Sequence, residues 1–405
     1  MRKILFVFIL FTLPFSMISN VKAASYASDT LRGKAVTSGD GLYADKYNEG
    51  RYVYKGGNPN NFIKFNNELW RIISVEKDGT LKIIKNDSLN NKLQFNDKND
   101  NGTYCSNWYN GGCNAWGKSE YFDGGFVNFV TENHPVNGTV TDDSIINKYL
   151  NNDYYNNISN SAKCEIVPKN YYFGRVINNN SDTIVDIINE EKTQVWNGNI
   201  GLPNVSDLLL ASSDENKCGT INNINVNKSC YYINPDGERV WCAPVGIPDD
   251  WKQYADNTCS SFNYLMVPGV YEYGSDKNDN YLFINAGSVG NVYEANGSGI
   301  SGIGEVRDNS RIYNVANNEK KFRPVTYLRS DMEITKGDGS ENNPYEFKCD
   351  ECDGTNNNSK NESNQVVDVP STSMFISVFI IGGFILIAII CIVIYLKVFK
   401  KDINK

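Results

Sequence analysis

The chain has 405 residues, enough for a domain of two packed layers even after both apolar ends are set aside. Its net charge is −8 although both ends are basic, so the part between them is more acidic still. An acidic surface repels phosphate backbones, so nucleic acid is not expected as a partner, and a single histidine argues against histidine-ligated metals and catalytic triads.

The N-terminal residues 1–23 have the pattern of a secretory signal peptide. A short basic start precedes an apolar run, and the small residues Val21 and Ala23 stand where signal peptidases cleave. We therefore expect export and cleavage after Ala23, followed by a polar segment over 24–50.

Residues 51–348 are predicted to form an extracellular α+β domain, an antiparallel β-sheet with one or two helices and long disulfide-bearing loops. Aromatic and β-branched runs predict a β-meander. Asn66-Asn67 and Asp78-Gly79 supply its hairpin turns, because Asn, Asp and Gly tolerate positive φ. Both faces of the sheet are apolar, so we expect helices or loops to cover it. The predicted strands are 51–54, 62–65, 68–75 and 80–84.

The second part of this domain is predicted to be more irregular. Residues 86–140 are polar and rich in glycine, which indicates a long excursion loop. Asp143 can cap a helix with apolar positions over 145–154, and Asn204 or Ser206 can cap a short helix over 207–211. Later strands are predicted over 171–176, 183–188, 281–285 and 322–328.

Several segments of the domain resemble an uncharacterised extracellular domain found in surface and pilin-like proteins of Firmicutes. They are RYVYKGGNPNNF (51–62), FNNELWRII (65–73), WNGNIGLPNVSD (196–207), FRPVTYL (322–328) and GDGSENNPY (337–345). The resemblance spans about residues 40–348 and implies a fold and an extracellular location, without a reaction. Its Leu-Pro and Arg-Pro-Val segments are also distantly similar to the C-type-lectin-like fold of sulfatase-modifying factors.

The C-terminal end is predicted to anchor the domain. Residues 349–373 have the composition of a disordered stalk, and 374–396 form an uncharged apolar run long enough for one transmembrane helix. The basic tail, 397–405, indicates a cytoplasmic C-terminus with the N-terminal domain outside.

A short motif just before the apolar run leaves the mode of anchoring open. Val-Pro-Ser-Thr-Ser (369–373) resembles the Leu-Pro-x-Thr-Gly signal that sortases attach to the cell wall, with Pro370 and Thr372 matching it. Valine replaces leucine and serine replaces glycine, so we favour a plain membrane anchor over wall attachment.

Nine of the ten cysteines lie outside the predicted span, and export makes disulfides the expected state. The Cys-x-x-Cys at 349–352 lacks a thioredoxin-like context, so a structural bridge is favoured over a redox or zinc site. The four central cysteines permit three pairings, of which we favour the nested one. The predicted bridges are Cys105–Cys113, Cys218–Cys259, Cys230–Cys242 and Cys349–Cys352, with Cys164 unpaired.

One segment resembles half of a calcium loop. Asp97, Asn99 and Asn101 match its first ligand positions, but Trp108 stands where the bidentate glutamate belongs. We favour a solvated loop, so calcium is a weak expectation and no other cofactor is expected.

The same region is rich in aromatic side chains, and loops on a rigid scaffold commonly carry recognition residues. We expect a contact surface there, although the same rings could equally pack as a satellite core.

No catalytic residue is nominated, and His134 is expected on the surface. The favoured function is binding or display, as in an adhesin, at the surface of a Gram-positive-type bacterium, with a partner in the cell envelope or an extracellular polymer or protein. The alternatives are a surface-anchored carbohydrate hydrolase and a structural wall component. The candidate contact residues are Tyr104, Trp108, Tyr109 and Trp116.

Overall fold

A computed structural model describes residues 26–96, 114–124, 126–128, 133–135, 138–177, 182–226, 228–241, 252–267, 270–272, 280–287, 292–296, 299–302, 319–349 and 351–352. The chain divides into two compact units, Met1–Thr355 and Asn356–Lys405, and every described residue belongs to the first. The predicted signal peptide and the predicted span at 374–396 lie outside the described residues. Within them, no helix is long and apolar enough to cross a membrane.

The described residues form an α+β domain with mostly antiparallel sheets and few helices, which confirms the predicted α+β class, although the short helical segments outnumber the one or two helices predicted. The helices are Ala27–Arg32, Ile145–Tyr149, a π-helical turn Leu150–Tyr154, Tyr155–Asn157, Asn160–Glu165, Ile184–Glu191, Val205–Leu210, Glu215–Cys218, Ile221–Val226 and a 3-10 turn Thr258–Ser261. The strands are β1 (Gly41–Ala44), β2 (Tyr52–Lys55), β3 (Phe62–Phe65), β4 (Glu68–Val75), β5 (Leu81–Lys85), β6 (Ser119–Phe122), β7 (Phe126–Asn128), β8 (Asn133–Pro135), β9 (Gly138–Val140), β10 (Lys169–Tyr172), β11 (Val195–Gly198), β12 (Ile200–Gly201), β13 (Lys228–Ile233), β14 (Arg239–Trp241), β15 (Lys252–Asn257), β16 (Val270–Glu272), β17 (Tyr281–Ala286), β18 (Val292–Asn296), β19 (Gly299–Gly302), β20 (Val325–Leu328), β21 (Glu333–Lys336) and β22 (Glu346–Lys348).

The central sheet is antiparallel throughout and has the order β1-β2-β4-β5-β20-β12. Strand β3 pairs with the first half of β4, on the edge that β2 occupies further along. The predicted meander is therefore present, and so is its turn chemistry. Asn66 and Asn67 have φ of 51° and 59°, and Gly79 has φ of 87°, values that asparagine and glycine accept most readily.

Smaller antiparallel sheets surround the central one. They are β10-β11, β14-β13-β15-β16, β17-β18-β19, β21-β22, β6-β9 and β7-β8.

The core lies around the central sheet. The side chains from Trp70 to Val75 on β4 are buried, as is all of β20. The helix Ala27–Arg32 contacts β4, and the helix Val205–Leu210 contacts β2. The expectation that other elements cover this sheet is confirmed.

Several stretches differ from their predicted structure, among them the start of the helix Ile145–Tyr149, which is capped by Ser144 and not by Asp143. Ile184–Glu191 is a helix, whereas a strand was predicted over 183–188. The isoleucines suit either structure, but Thr183 and Asp186 form a reciprocal capping box that starts the helix. The predicted loop over 86–140 contains the short strands β6 to β9, with His134 in β8.

The disulfides confirm one predicted bridge and correct another. Cys218 is bonded to Cys259, as predicted. Cys352 is bonded to Cys164, so the predicted Cys349–Cys352 bridge and the predicted free Cys164 are both wrong; among the cysteines whose side chains the structure describes, the buried Cys349 is the one with a free thiol. The bond closes a separation of 188 residues, and long closures restrict the unfolded chain most in the loop-entropy account.

A turn at residues 349–352 explains why a bridge between Cys349 and Cys352 is predicted from the sequence. The backbone N–H of Cys352 donates to the carbonyl of Cys349 at 3.0 Å, which is the hydrogen bond of a β-turn. Such a turn holds its end Cα atoms within about 7 Å, close to the reach of a disulfide. Cys352 thus has two partners within range, and only tertiary structure selects Cys164. Of the other predicted pairs, Cys105, Cys113 and Cys242 lie outside the described residues, and only the backbone of Cys230 is described.

Candidate functional site

One face of the central sheet carries buried cations. Residues directly opposite in an antiparallel ladder share a face. Lys82 on β5 lies opposite Tyr327 on β20, and Arg71 on β4 lies opposite Ile84, two positions from Lys82 on β5. Lys82 and Arg71 therefore share one face, and they are 4% and 7% exposed.

The helix Val205–Leu210 lies over this face, and all of its residues are buried. It begins at Asn204, whose backbone N–H donates to the Asp207 carboxylate at 2.9 Å. An acidic residue at the third helical position both caps the helix and suits its positive end. The same carboxylate accepts from Lys82 Nζ at 2.6 Å, so the helix start places an anion on the sheet.

Five residues form what we call the ionic cluster, namely Asp45, Arg51, Glu76, Lys82 and Asp207. The Arg51 guanidinium lies 3.0 Å from Asp45, 3.1 Å from Glu76 and 3.7 Å from Asp207. Burial alone would lower the pKa of Arg51, but the charges of these three carboxylates outweigh it and hold the pKa above its ordinary value. The cluster therefore neutralises its own buried cations.

A fourth carboxyl group, that of Glu191, adjoins the cluster. Glu191 is 3% exposed and accepts from the Ser206 backbone N–H at 2.8 Å and from its hydroxyl at 2.5 Å. Burial raises the pKa of Glu191 to about 8, against the lowering effect of the Ser206 contacts. Burial therefore favours the protonated form of Glu191.

These groups line a cavity of about 110 Å³ that adjoins an open cleft of about 640 Å³. Glu76, Tyr172 and Tyr327 line both spaces, and we call the open one the Tyr172 cleft. Its other lining residues are Lys77, Asp78, Pro168, Lys169, Asn170 and Asn197.

The rim of the Tyr172 cleft is polar and internally braced. Lys169 donates to Asp78 across it. The Asn197 amide donates to the Asn170 side chain at 2.9 Å, and the two asparagines face each other in the β10-β11 ladder. The cleft thus brings amides, carboxylates and tyrosines together around one opening.

The structure moves one predicted contact residue into the core. Trp116 is fully buried and packs edge-on against Phe95 at 6.2 Å and Trp196 at 5.8 Å between ring centroids. The prediction that Trp116 belongs to an exposed contact surface is therefore wrong, because its ring is buried between the rings of Phe95 and Trp196. The other candidates lie outside the described residues: Tyr104, Trp108, Tyr109, the calcium-loop residues Asp97, Asn99 and Asn101, and the sorting-like Pro370 and Thr372.

Sequence reasoning missed the ionic cluster, although one signal was present. Lys82 and Arg71 interrupt apolar strands whose neighbours on both sides are buried, so a charge inside the sheet was readable. Its partner Asp207 is 125 residues away and could not be paired from spacing. For metals, the described part of the chain holds no group of three or more His, Cys, Asp or Glu side chains arranged to bind an ion.

Comparison with protein-family models, with curated proteins and with solved structures found no match.

Proposed function

We propose that this chain is a cell-surface-anchored extracellular binding or display protein of a Gram-positive-type bacterium, and that the Tyr172 cleft binds a glycan. The cleft carries the proposal. Its volume of about 640 Å³ lies within the usual range of ligand sites. It is held open by paired strands, so little of it has to be ordered when a ligand binds.

The lining suits a polyhydroxylated ligand. Sugar hydroxyls both donate and accept, and the Asn170 and Asn197 amides offer both functions at an exposed rim. The ring of the half-buried Tyr172 offers apolar surface for the C–H face of a sugar. Successive sugars of a repeating surface polymer could make these hydrogen bonds and apolar contacts along the cleft.

The location rests on the sequence. The signal peptide at 1–23, the span at 374–396 and the resemblance to Firmicute surface domains all favour display outside the membrane. Disulfides, which form in oxidising compartments, support export. The distant similarity to a C-type-lectin-like fold is consistent with this proposal. Attachment to the cell wall through the sequence around Pro370 and Thr372 is the alternative to a membrane anchor.

A carbohydrate hydrolase is the second candidate, and one observation favours it. Burial raises the pKa of Glu191, while Asp207, which lines the same cavity, is paired with Lys82. Carboxyl groups in two such different environments are typical of acid–base catalysis. However, Ser206 engages both Glu191 oxygens, so a substrate would have to displace those contacts.

The purified full chain on a glycan array tests the proposal. The double variant Asn170→Ala/Asn197→Ala should lose the signal of any bound glycan, since both amides leave the rim. Asn90→Ala removes an exposed amide outside the cleft and should bind as the wild type does. No glycan bound by the wild type, or equal binding by all three proteins, would contradict the proposal. Cleavage of the bound glycan that Glu191→Gln abolishes would favour the hydrolase.

A further inference from the structure

We propose that a second cavity, built around Arg71 and Arg323, binds an oxyanionic group, a phosphate or a carboxylate, of an extracellular ligand. The cavity measures about 190 Å³ and shares no lining residue with the Tyr172 cleft. We call it the arginine pocket. Asn86, Ser88 and Tyr281 also line it.

Arg71 enters the arginine pocket with most of its guanidinium enclosed. Its Nε donates to the Asn61 side chain at 2.8 Å, and Nη2 donates to the Pro59 carbonyl at 3.3 Å. The rings of Phe62 and Tyr264 lie 4.0 and 4.5 Å from the guanidinium carbon. Rings and neutral acceptors hold the group in place without cancelling its charge.

Arg323 is enclosed in a similar way. It is 6% exposed, its Nε donates to the Lys85 carbonyl at 2.8 Å, and the Tyr281 ring lies 4.9 Å from its guanidinium carbon. No carboxylate in the described part of the chain lies within ion-pairing distance of Arg71 or Arg323. Both guanidiniums therefore lie on the wall of one cavity without a carboxylate in contact, and Glu341 and Asp40 act on Arg71 only from beyond ion-pairing distance.

Other arginines of this domain show the contrast. Arg51 meets three carboxylates, Arg329 meets Asp331 and Glu351, and Arg175 meets Asp123. The fold thus supplies an anion to Arg51 and Arg175, whose side chains are only 12% and 10% exposed.

Two like charges in one buried pocket oppose each other. Burial lowers the pKa of Arg71 to about 10, and the charge of Arg323 acts in the same direction. Cation–π contacts return only part of the cost of burying a charge. A bound oxyanion would offset the remainder, and planar guanidiniums fit two oxygens of a carboxylate or phosphate at once.

Asp87 is the acidic residue that lines the arginine pocket. It is exposed, accepts from the Asn86 amide at 3.0 Å, and makes no ion pair with either arginine. Asp87 therefore does not fill the pocket, and its charge should weaken the binding of an anion.

Thermal unfolding of the purified full chain tests the proposal with three probes: inorganic phosphate, dimethyl phosphate as a diester, and acetate. Chloride at equal ionic strength is the reference. We expect a saturable rise in Tm with at least one probe, and the probe that acts distinguishes phosphate from carboxylate recognition. Arg323→Gln should abolish the rise, and Arg323→Lys should weaken binding about tenfold, because lysine keeps the charge but loses the fork.

Arg329→Gln is the matched control, since Arg329 is paired with two carboxylates away from the pocket, and it should retain the full rise in Tm. If Arg323→Gln fails to fold, Asp87→Asn keeps both arginines and should bind the probe about threefold more tightly. The proposal is overturned if no probe raises Tm beyond chloride, if the rise persists in a folded Arg323→Gln, or if Asp87→Asn leaves affinity unchanged.

Discussion

Replacing Lys82 with methionine tests whether the ionic cluster holds the helix Val205–Leu210 on the sheet. Methionine keeps the length of the side chain and removes its charge. Lys82 and Asp207 have side chains only 4% and 2% exposed, and their charged atoms lie 2.6 Å apart. The variant leaves Asp207 with Arg51 at 3.7 Å and one backbone N–H, so we expect a loss of about 3–5 kcal/mol in the free energy of unfolding.

Lys85→Met is the matched control on the same strand. Lys85 lies 2.9 Å from Glu68, but these side chains are 13% and 36% exposed. Water replaces much of that interaction when the lysine is lost, so the expected cost is below about 1 kcal/mol. The comparison isolates burial, because both variants make the same chemical change.

Equilibrium urea unfolding of both variants, followed by tryptophan fluorescence, measures the difference. The double variant Lys82→Met/Asp207→Leu should recover much of the loss, because it removes the uncompensated carboxylate as well. Equal losses for Lys82→Met and Lys85→Met would refute the view that Asp207 depends on Lys82. A double variant as unstable as Lys82→Met would point to lost packing in place of lost charge pairing.

Three further outcomes can be measured on the same protein. Stability should decline as pH rises between 4.5, the ordinary pKa of Glu191, and about 8, its pKa in the folded chain, because the folded chain binds that proton more tightly than the unfolded chain does. In Glu191→Gln, the urea midpoint should depend less on pH over this range. Trp116→Ala should lower the free energy of unfolding by about 3–5 kcal/mol, and an unchanged Tm would show that the ring is not part of the core. Cys164→Ser should allow Cys349 to bond Cys352, which non-reducing mass mapping would detect; two free thiols there would show that the turn cannot close.

The local parts of this fold were readable from the sequence. Runs of aromatic and β-branched residues predicted the meander, and Asn66-Asn67 marked a turn that needs positive φ. Each signal acts between neighbours in the chain, where backbone preference and hydrogen bonding decide the structure. The Thr183–Asp186 capping box was equally local, and attention to it would have corrected the predicted strand.

Long-range pairings were not readable, for a physical reason. Cys352 had a candidate partner three residues away, yet the fold joins it to Cys164, 188 residues distant. The local alternative is always available in the unfolded chain, whereas the distant one exists only after the helix Asn160–Glu165 has docked. Spacing therefore favours local bridges even where packing selects another.

The same limit hid the difference between the two groups of buried cations on the central sheet. In the sequence, Lys82 and Arg71 are each one charge inside an apolar strand. In the structure, Asp207 reaches Lys82 from a helix start, whereas rings and carbonyls enclose Arg71. A cation that serves only the fold is most stable with a carboxylate from its own chain, as at Lys82. The described chain brings no carboxylate to Arg71 and Arg323, so in our proposal the ligand supplies their counter-ion. A stability that depends on added anions would distinguish these ligand-binding cations from Lys82, whose counter-ion is Asp207.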